Sequence, residues 1–291
     1  MTSTRDVGAQ FIAPNTHQKT GPNAPILDHK HYHAPSVFTP EQLLYGARRQ
    51  KSLSPGQVPT VCILDPDGDL VDHLQATHWL NHHPSWACYH TKLGTFLHGG
   101  LEFGIVGRVV GGPFAVLVAE ELFTSGCELI ISISSAGQII PRGRPPYMVL
   151  IEKALRDEGT SYHYLPPSPY SVLQPALREM MCASWDHSVV PLHVGTSWTT
   201  DAPFRETEAM IAMCRDRGIL TVEMEAAALY ALASAKQKDL ICFAYVTNQM
   251  GQAEDDFEKG IAQGARAALH FINHTAHQWL RCSESRDTIE R

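Results

Sequence analysis

The stretch "ILTVEMEAAALYALASAKQKDLICFAYVT" (residues 219–247) combines two continuous apolar runs with an alanine-rich segment between them. The runs "ILTVE" (219–223) and "LICFAYVT" (240–247) have the length of strands, and residues 225–236 are typical of a helix. Strands that are apolar throughout are buried on both faces, as in sheets covered by helices. This strand–helix–strand unit therefore predicts an α/β domain with a mostly parallel or mixed sheet.

The rest of the chain repeats this alternation. Apolar runs predict further strands at 60–65, 103–110, 128–134 and 189–197. Helices are predicted at 39–50, 111–126, 204–217 and from about Asp256 to Leu280. Thr39 suits the N-cap of the first of these helices, Gly126 suits the end of the second, and Asp201 suits the N-cap of the third, which is predicted to start after Pro203. We expect one domain over 28–282, a loosely ordered tail at 1–27 and a short tail at 283–291.

Composition and charge exclude several classes of protein. The chain has 291 residues, of which 44% are hydrophobic, and this is enough for a large core. Its net charge of -7 lacks the positive field that binding to nucleic acid or an anionic membrane needs. The seven cysteines are odd in number and lack C-x-x-C spacing, which favours buried thiols over disulfides or a zinc site. With no apolar signal core at the N-terminus, we expect a cytoplasmic protein.

Polar or small residues follow the predicted strands: "DPDGD" (65–69), "SSAG" (134–137), "GTSWTTD" (195–201), "VEME" (222–225) and "VTNQ" (246–249). In open α/β sheets, ligands bind beyond the carboxyl ends of the strands. The strand ends are therefore the predicted site. Glu223 and Glu225 either face a ligand there or occupy the first turn of the next helix, where its dipole favours acids.

Several of these segments resemble the nucleoside phosphorylase superfamily, which includes uridine phosphorylase, hexameric purine nucleoside phosphorylase and methylthioadenosine nucleosidase. "VEMEAAALYALA" (222–233) resembles its ribose-binding signature, and "VGGPFAVLVAEEL" (110–122) is similar to uridine phosphorylase. "DEGTSYHYLPPSPY" (157–170), "VTNQ" and the pair Tyr32-His33 match in the same order along the chain. The resemblance implies a three-layer α/β/α fold with a mixed central sheet. It also implies a homodimer or larger homo-oligomer.

The resemblance assigns the sugar side of a nucleoside site. Glu225 would accept hydrogen bonds from the ribose hydroxyls, Met224 would pack against the sugar, and Glu223 would line the pocket. Carboxylates held in this way stabilise the oxocarbenium-like charge that develops when the N-glycosidic bond breaks. His33 matches a histidine that binds the 5′-hydroxyl in a neighbouring subunit. The alternative for His33 is a histidine of a flexible tail.

On the base side, the resemblance points to the loop "TTDAPFRET" (199–207) and to the end of the last strand. Phe204 would stack on the base and Arg205 would donate to it, unless Arg205 forms a surface ion pair with Glu206. Asn248 stands where uridine phosphorylase has asparagine and purine enzymes have an acid, and Gln249 replaces an arginine of the family. Since an amide cannot protonate a base, a pyrimidine-type or unusual base is favoured.

The acceptor side departs from the family pattern. The stretch "DPDGDLVDH" carries acids where phosphorylases have an arginine, and Ser132 occupies the place of another arginine. "SSAG" resembles the nucleosidases, which use water. The residues that match the phosphate or water site are Ser135, Gly137 and Gly68. Three arginines flank the strand ends and are candidate replacements: Arg108, Arg142 and Arg144. For Arg108 the alternative is a surface pair with Glu102 or Glu120.

These expectations define one reaction with alternatives. The predicted enzyme transfers the ribosyl group of a nucleoside to phosphate, with Glu225, Ser135 and Asn248 as the catalytic residues. Phosphate would be a co-substrate, and no metal or organic cofactor is implied. Hydrolysis by water is a close alternative. A non-catalytic nucleoside-binding or storage protein is the other.

Overall fold

The computed structural model describes residues 25–27, 30–185, 191–249 and 259–289. Ten strands and seven α-helices lie within these ranges. The strands are β1 Val61–Asp65, β2 Asn81–His82, β3 Gly94–His98, β4 Leu101–Gly107, β5 Leu129–Gln138, β6 Tyr147–Asp157, β7 Tyr170–Val172, β8 Leu192–Thr200, β9 Ile219–Glu223 and β10 Asp239–Asn248. The helices are α1 Pro40–Gln50, α2 Asp69–Ala76, α3 Gly112–Thr124, α4 Pro175–Ser184, α5 Glu208–Asp216, α6 Ala226–Lys236 and α7 Ala265–Ile289.

One mixed sheet contains these strands. Its order is β10-β6-β8-β9-β5-β1-β4-β3-β2, with β7 beside β6 and a further pairing between β10 and β5. Strand β5 runs parallel to β1 and β10 along its first part. Its last residues, Gly137 and Gln138, pair antiparallel with Val222 and Thr221 of β9. Two sets of strands that run in opposite directions therefore meet at the carboxyl end of β5.

The helices form two groups. Helix α3 contacts α1 and α6, whereas α7 contacts α2 and α4. The side chains of α6 are buried from Ala226 to Ala233, which explains its alanine-rich sequence, since small side chains let the helix pack closely on all sides. Tyr230 is the large exception, and its hydroxyl donates to the carbonyl of Ile151 at 2.5 Å. The predicted α/β fold with a mixed central sheet is confirmed.

Three predicted boundaries were wrong. Strand β5 continues through "SSAG" to Gln138. Helix α5 begins at Glu208 because Thr207 is its N-cap, and not after Pro203 with Asp201 as the cap. Helix α7 begins at Ala265, because Gly260 and Gly264 have positive φ angles of 73° and 80° that interrupt a helix. Residues 256–258, where it was predicted to begin, lie outside the described ranges.

The C-terminal end of the chain differs from the prediction. Helix α7 extends to Ile289, so the predicted tail at 283–291 is helical over most of its length. The predicted tail at 1–27 lies outside the described residues except for 25–27, which form a single 3₁₀ turn. Helix α1 is confirmed with Thr39 in a capping box with Gln42. Among the described residues, we find no helix with the length and apolar character that a membrane span needs.

Candidate nucleoside-binding site

Glu225 connects the start of α6 with β5 and with the loop before α3. It lies at the N-terminus of α6 and is only 2% exposed. Its Oε1 accepts a hydrogen bond from the backbone N–H of Gly111, just before α3, at 2.7 Å. Its Oε2 accepts from the hydroxyl of Ser134 on β5 at 2.6 Å. The sequence predicted a site where the strand ends come together, and the carboxyl group of Glu225 lies in that region.

The protonation of Glu225 is unusual for a carboxylic acid. Burial raises its pKa to about 8, and the charge of Glu223 adds to the rise. The bonds from Ser134 and Gly111 act in the opposite direction because they favour the charged form. Carboxyl groups with such shifted pKa values occur most often at functional sites, because their proton can be gained or lost near neutral pH.

Glu223 has a different environment although it is only two residues away. Its Oε2 accepts from the backbone N–H groups of Glu225 and Ala226 at 2.8 and 2.7 Å. Its Oε1 accepts from the hydroxyls of Thr199 and Ser197 at 2.6 and 3.2 Å. These four donors match the roughly four acceptor positions of a carboxylate. Glu223 thus holds β8, β9 and the start of α6 in place, and has little capacity left for a ligand.

The remaining residues of the ribose signature have simpler surroundings. Met224 is half-buried, and its N–H lies 3.3 Å from Oε2 of Glu225. Gly137 pairs with Asn248 across the β5–β10 ladder, which brings the end of the last core strand to the site. Gln249 follows Asn248 and is half-buried. The structure therefore places Glu225, Met224, Gly137 and Asn248 in one region, which we call the Glu225 cluster.

The backbone N–H of Ser135 makes a bond that the sequence analysis did not anticipate. It donates to Oδ2 of Asp67, in the loop after β1, at 2.7 Å. Asp65 at the end of β1 accepts from the N–H groups of Gly68 and Val71 at 3.2 and 2.9 Å, and so caps α2. Burial raises the pKa of Asp65 to about 7, and the charge of Asp67 contributes.

Arg108 lies over this loop. It has a left-handed backbone, with φ of 62°, and its N–H donates to the carbonyl of Asp65 at 2.8 Å. One of its guanidinium nitrogens donates to both carboxylate oxygens of Asp72 at 2.7 Å. The alternative considered for Arg108, a surface ion pair, is thus formed, but with Asp72 in place of Glu102 or Glu120. Gly68 has φ of 86°, and a Cβ there would lie 2.9 Å from Cγ of Arg108.

Several predicted residues are not brought into this cluster. Phe204 is fully exposed on a 3₁₀ turn, and Arg205 beside it is exposed as well. Arg205 and Glu206, both described, form no ion pair with each other, and burial raises the pKa of Glu206 to about 7. Arg142 and Arg144 lie on the exposed loop between β5 and β6.

The segment that carries His33 packs near the loop 157–163. Nζ of Lys30 lies 2.9 Å from Nδ1 of His163, and His33 itself is exposed. Burial and the charge of Lys30 lower the pKa of His163. In the same loop, Asp201 accepts from the N–H of Gly159 at 2.8 Å, which is its role in place of the predicted helix cap. Glu158 accepts from the N–H of Ser161 at 2.9 Å.

Sequence reasoning missed Ser134 and Gly111 as partners of Glu225, and Asp67 as the partner of Ser135. The signals were present as the first serine of "SSAG", the paired glycines before α3 and the acids after β1. Only the register between elements shows which of them meet. Within the described ranges, no group of three His, Cys, Asp or Glu side chains is arranged to hold a metal ion.

Comparisons with known proteins agree on one family. A family model described as the phosphorylase superfamily matches residues 60–276. A guanosine phosphorylase of Halorubrum lacusprofundi is 29% identical over 177 residues, which cover 57% of this chain and 71% of that protein. A uridine phosphorylase of Thermococcus kodakarensis is 25% identical over 183 residues, or 57% of this chain and 65% of that protein.

Solved structures show the same fold. A uridine phosphorylase from Vibrio fischeri ES114 aligns with a TM-score of 0.60 and 20% identity, covering 78% of this chain and 93% of that chain. The 5'-methylthioadenosine/S-adenosyl homocysteine nucleosidase of Campylobacter jejuni aligns with a TM-score of 0.62 and 15% identity, covering 75% and 98%. The family model spans most of the sheet, including β1, β5 and the Glu225 cluster at the start of α6. The chain belongs to the phosphorylase superfamily.

Proposed function

We propose that the protein cleaves the N-glycosidic bond of a nucleoside or a related N-riboside. The observation that carries this proposal is the buried carboxyl group of Glu225, held between Gly111 and Ser134 where the strand ends meet. With three donors in place, this carboxyl group keeps about one of its roughly four acceptor positions for a sugar hydroxyl, and it lies where the protein excludes water. The names of the similar proteins, which are phosphorylases and a nucleosidase, support this reaction class.

The reaction needs stabilisation of positive charge. As the bond from C1′ to the base nitrogen breaks, its electron pair leaves with the base and positive charge develops on the sugar. An oxygen of the acceptor, phosphate or water, forms the new bond to C1′, and the base takes up a proton. The developing positive charge favours the ionised form of Glu225, and its negative charge would then stabilise this state most strongly in a site of low dielectric constant.

The other residues take supporting roles in this proposal. Met224 packs against the sugar, and Glu223 positions Glu225 through the backbone of the α6 start. Ser135, Gly68, Gly137 and Arg108 surround the acceptor. His33, exposed in one subunit, is proposed to reach the 5′-hydroxyl in a neighbouring one.

Base recognition is proposed for Asn248 and Gln249, with Phe204 and Arg205 closing the site when a base is bound. Asn248 lies beside Gly137 in the sheet, within the Glu225 cluster, and this supports its role. An amide favours a pyrimidine-type or unusual base. The relatives include enzymes named for guanosine, uridine and purine nucleosides, so both base classes belong in the test.

Two acceptors are in competition. Phosphate, the acceptor favoured narrowly by the sequence, is supported by the relatives named phosphorylases. Hydrolysis is supported by a specific contact, because the carboxylate of Asp67 already accepts from the N–H of Ser135. A non-catalytic binding protein is the third alternative.

The test is product analysis with the purified protein. A panel of purine and pyrimidine nucleosides is incubated with and without phosphate, and free base, ribose and ribose 1-phosphate are separated by chromatography. Base release confirms the reaction class. No release from any nucleoside, with binding measured by calorimetry, would instead establish a binding protein.

Two variants locate the site. Glu225→Ala should abolish base release while Glu179→Ala, at an exposed position of α4, retains it. Arg205→Ala should change the ranking of bases without changing the sugar preference. Unchanged turnover in Glu225→Ala would remove Glu225 from the site, and an unchanged ranking would remove Arg205.

A further inference from the structure

Backbone donors at the ends of β1 and β5 are occupied by carboxylates of the chain itself. The N–H of Ser135 donates to Asp67, and the N–H groups of Gly68 and Val71 donate to Asp65. Backbone N–H groups at a helix N-terminus and beside it are the groups that usually bind an inorganic anion. Here an incoming anion would have to displace a carboxylate before it reached the donor of Ser135.

The cations described around this loop are also paired. Arg108 is bound to Asp72, and Lys259 forms a short ion pair with Asp69. Burial alone would lower the pKa of Lys259, but its bond to Asp69 and the charges of Asp67 and Asp69 raise it. Both cations are therefore paired with acids of α2.

Among the described residues, the acids around this loop outnumber the cations. A small cavity beside β5 is lined by Asp65, Asp67, Asp69, Ser135 and Tyr245, among others. The negative charge of Asp67 acts on two neighbouring acids, because it contributes to the raised pKa of Asp65 and to that of Glu225. Asp67 thus lies close enough to the Glu225 cluster to influence an acceptor that approaches the sugar.

We propose that Asp67 determines acceptor selectivity: its carboxylate occupies the anion position at the N–H of Ser135, excludes inorganic phosphate and leaves water as the acceptor. This inference rests on the proposed function, because it concerns the acceptor of that reaction. Asp67 is exposed, so salt screens part of its charge, but two like charges that compete for one donor should still weaken anion binding ~10-fold or more at low ionic strength. Water carries no charge and is not repelled.

The first test measures phosphate binding without a nucleoside. Inorganic phosphate is titrated by calorimetry at low ionic strength into the full-length wild type, Asp67→Ala and Asp67→Asn. Asp216→Ala is the matched control, because it removes one acid from an exposed position of α5. We expect no saturable binding to the wild type or the control in the millimolar range. Asp67→Ala should bind phosphate at least ~10-fold more tightly than the wild type does.

Asp67→Asn separates the effect of the negative charge from that of the hydrogen bond to the N–H of Ser135. It also provides a second variant in case Asp67→Ala fails to fold. Its amide oxygen can still accept from Ser135, so an increase in phosphate affinity would be smaller than in Asp67→Ala but still above the control. Equal affinities in the wild type and both variants would overturn the proposal. So would saturable binding to the wild type that matches Asp67→Ala.

A second measurement distinguishes this proposal from the proposed function. If the wild type releases base without phosphate and yields free ribose, both are supported. If base release requires phosphate and yields ribose 1-phosphate, N-glycosidic cleavage is established and the role of Asp67 is overturned. If no nucleoside is cleaved, the proposed function fails, and the phosphate titration still decides whether Asp67 excludes anions.

Discussion

Glu223 and Glu225 show how two acids in one short motif acquire different roles. Glu223 accepts from four protein donors, whereas Glu225 accepts from three: the N–H of Gly111, the hydroxyl of Ser134 and, at 3.3 Å, the N–H of Met224. Both are buried, so burial alone does not distinguish them. The number and kind of hydrogen-bond donors around each carboxylate does.

The raised pKa of Glu225 predicts a specific pH dependence of stability. Its pKa is about 8 in the folded protein, against 4.5 for an ordinary glutamate. Between these values the unfolded chain loses a proton that the folded chain keeps, so the free energy of unfolding falls as pH rises. In Glu225→Gln this fall is removed. The Tm of the variant relative to wild type should therefore rise by ~5 °C or more from pH 5 to pH 8.

Differential scanning calorimetry over this pH range measures the effect. The control is Glu179→Gln, whose Tm difference from wild type should not depend on pH in this way. A constant difference between Glu225→Gln and wild type from pH 5 to 8 would show that Glu225 is ionised in the folded protein throughout this range.

Glu223 predicts a loss of stability. Glu223→Ala leaves the hydroxyls of Thr199 and Ser197 and two N–H groups at the start of α6 without their acceptor. Unsatisfied buried groups cost ~1–3 kcal/mol each, so the free energy of unfolding should fall by ~3 kcal/mol or more. Urea denaturation measures this change.

Glu223→Gln is the conservative comparison. Its amide oxygen can still accept from the two N–H groups, while its amide nitrogen can donate to the hydroxyls. A loss in Glu223→Ala that is no larger than in Glu223→Gln would mean that the four bonds do not hold the α6 start.

At the scale of elements, the contact of α3 with α6 positions the site. Gly111 is the N-cap of α3 and Gly112 is its first residue, and a Cβ on Gly112 would lie 2.9 Å from Cβ of Ala228 on α6. This separation is shorter than carbon atoms tolerate, so the two helices approach as closely as a glycine allows. The close approach brings the N–H of Gly111 to Glu225.

The close contact predicts that Gly112→Ala destabilises the protein by ~1–3 kcal/mol through overpacking. Ala228→Gly should lower stability by ~1 kcal/mol because glycine is a poor helix former. The double variant should lose less free energy of unfolding than the sum of the two single losses, because Ala228→Gly creates the space that the new methyl group at residue 112 needs. Chemical denaturation of the three variants completes the cycle.

Gly143→Ala is the matched control, because a Cβ on Gly143 meets no atom within 4 Å. Its stability should stay within ~0.5 kcal/mol of wild type. Additive losses in the double variant would show that α3 and α6 do not press on each other at this point.

At the scale of the whole molecule, the proposed site is shared between subunits. His33 is exposed in one chain, and we propose that it contacts the 5′-hydroxyl of a nucleoside bound by a second chain. We expect Glu225→Ala and His33→Ala, each impaired alone, to recover activity when refolded together. A mixed oligomer contains sites that combine Glu225 of one chain with His33 of the other.

The measurement uses a 5′-hydroxyl nucleoside at low concentration, with analytical ultracentrifugation to determine the oligomer. His33→Ala alone should raise KM for this nucleoside but not for its 5′-deoxy analogue. Activity of the mixture equal to the mean of the two variants would show that each chain forms its site alone.

Much of the architecture was predictable because it depends on local patterns. The apolar runs of β1, β9 and β10 and the alanine-rich α6 need no distant partner to be recognised. The Thr39 capping box is a pattern of four consecutive residues. Helix α5 was misplaced because Thr207, and not Asp201, is the N-cap. Strand β6 was not predicted because its second half, "EKALRD", contains charged residues that interrupt the apolar run.

The amino-acid sequence by itself determined the fold class, the position of the Glu223–Glu225 motif at a strand–helix junction and the residues that resemble a nucleoside site. Only the tertiary structure decided which donors each acid accepts from, and that Asp67 meets Ser135 while Arg108 meets Asp72. The physical reason is range. Secondary structure follows from neighbours a few residues apart. The contacts of Glu225 with Gly111, of Asp67 with Ser135 and of Arg108 with Asp72 join residues 36 to 114 positions apart, through the packing of separate elements.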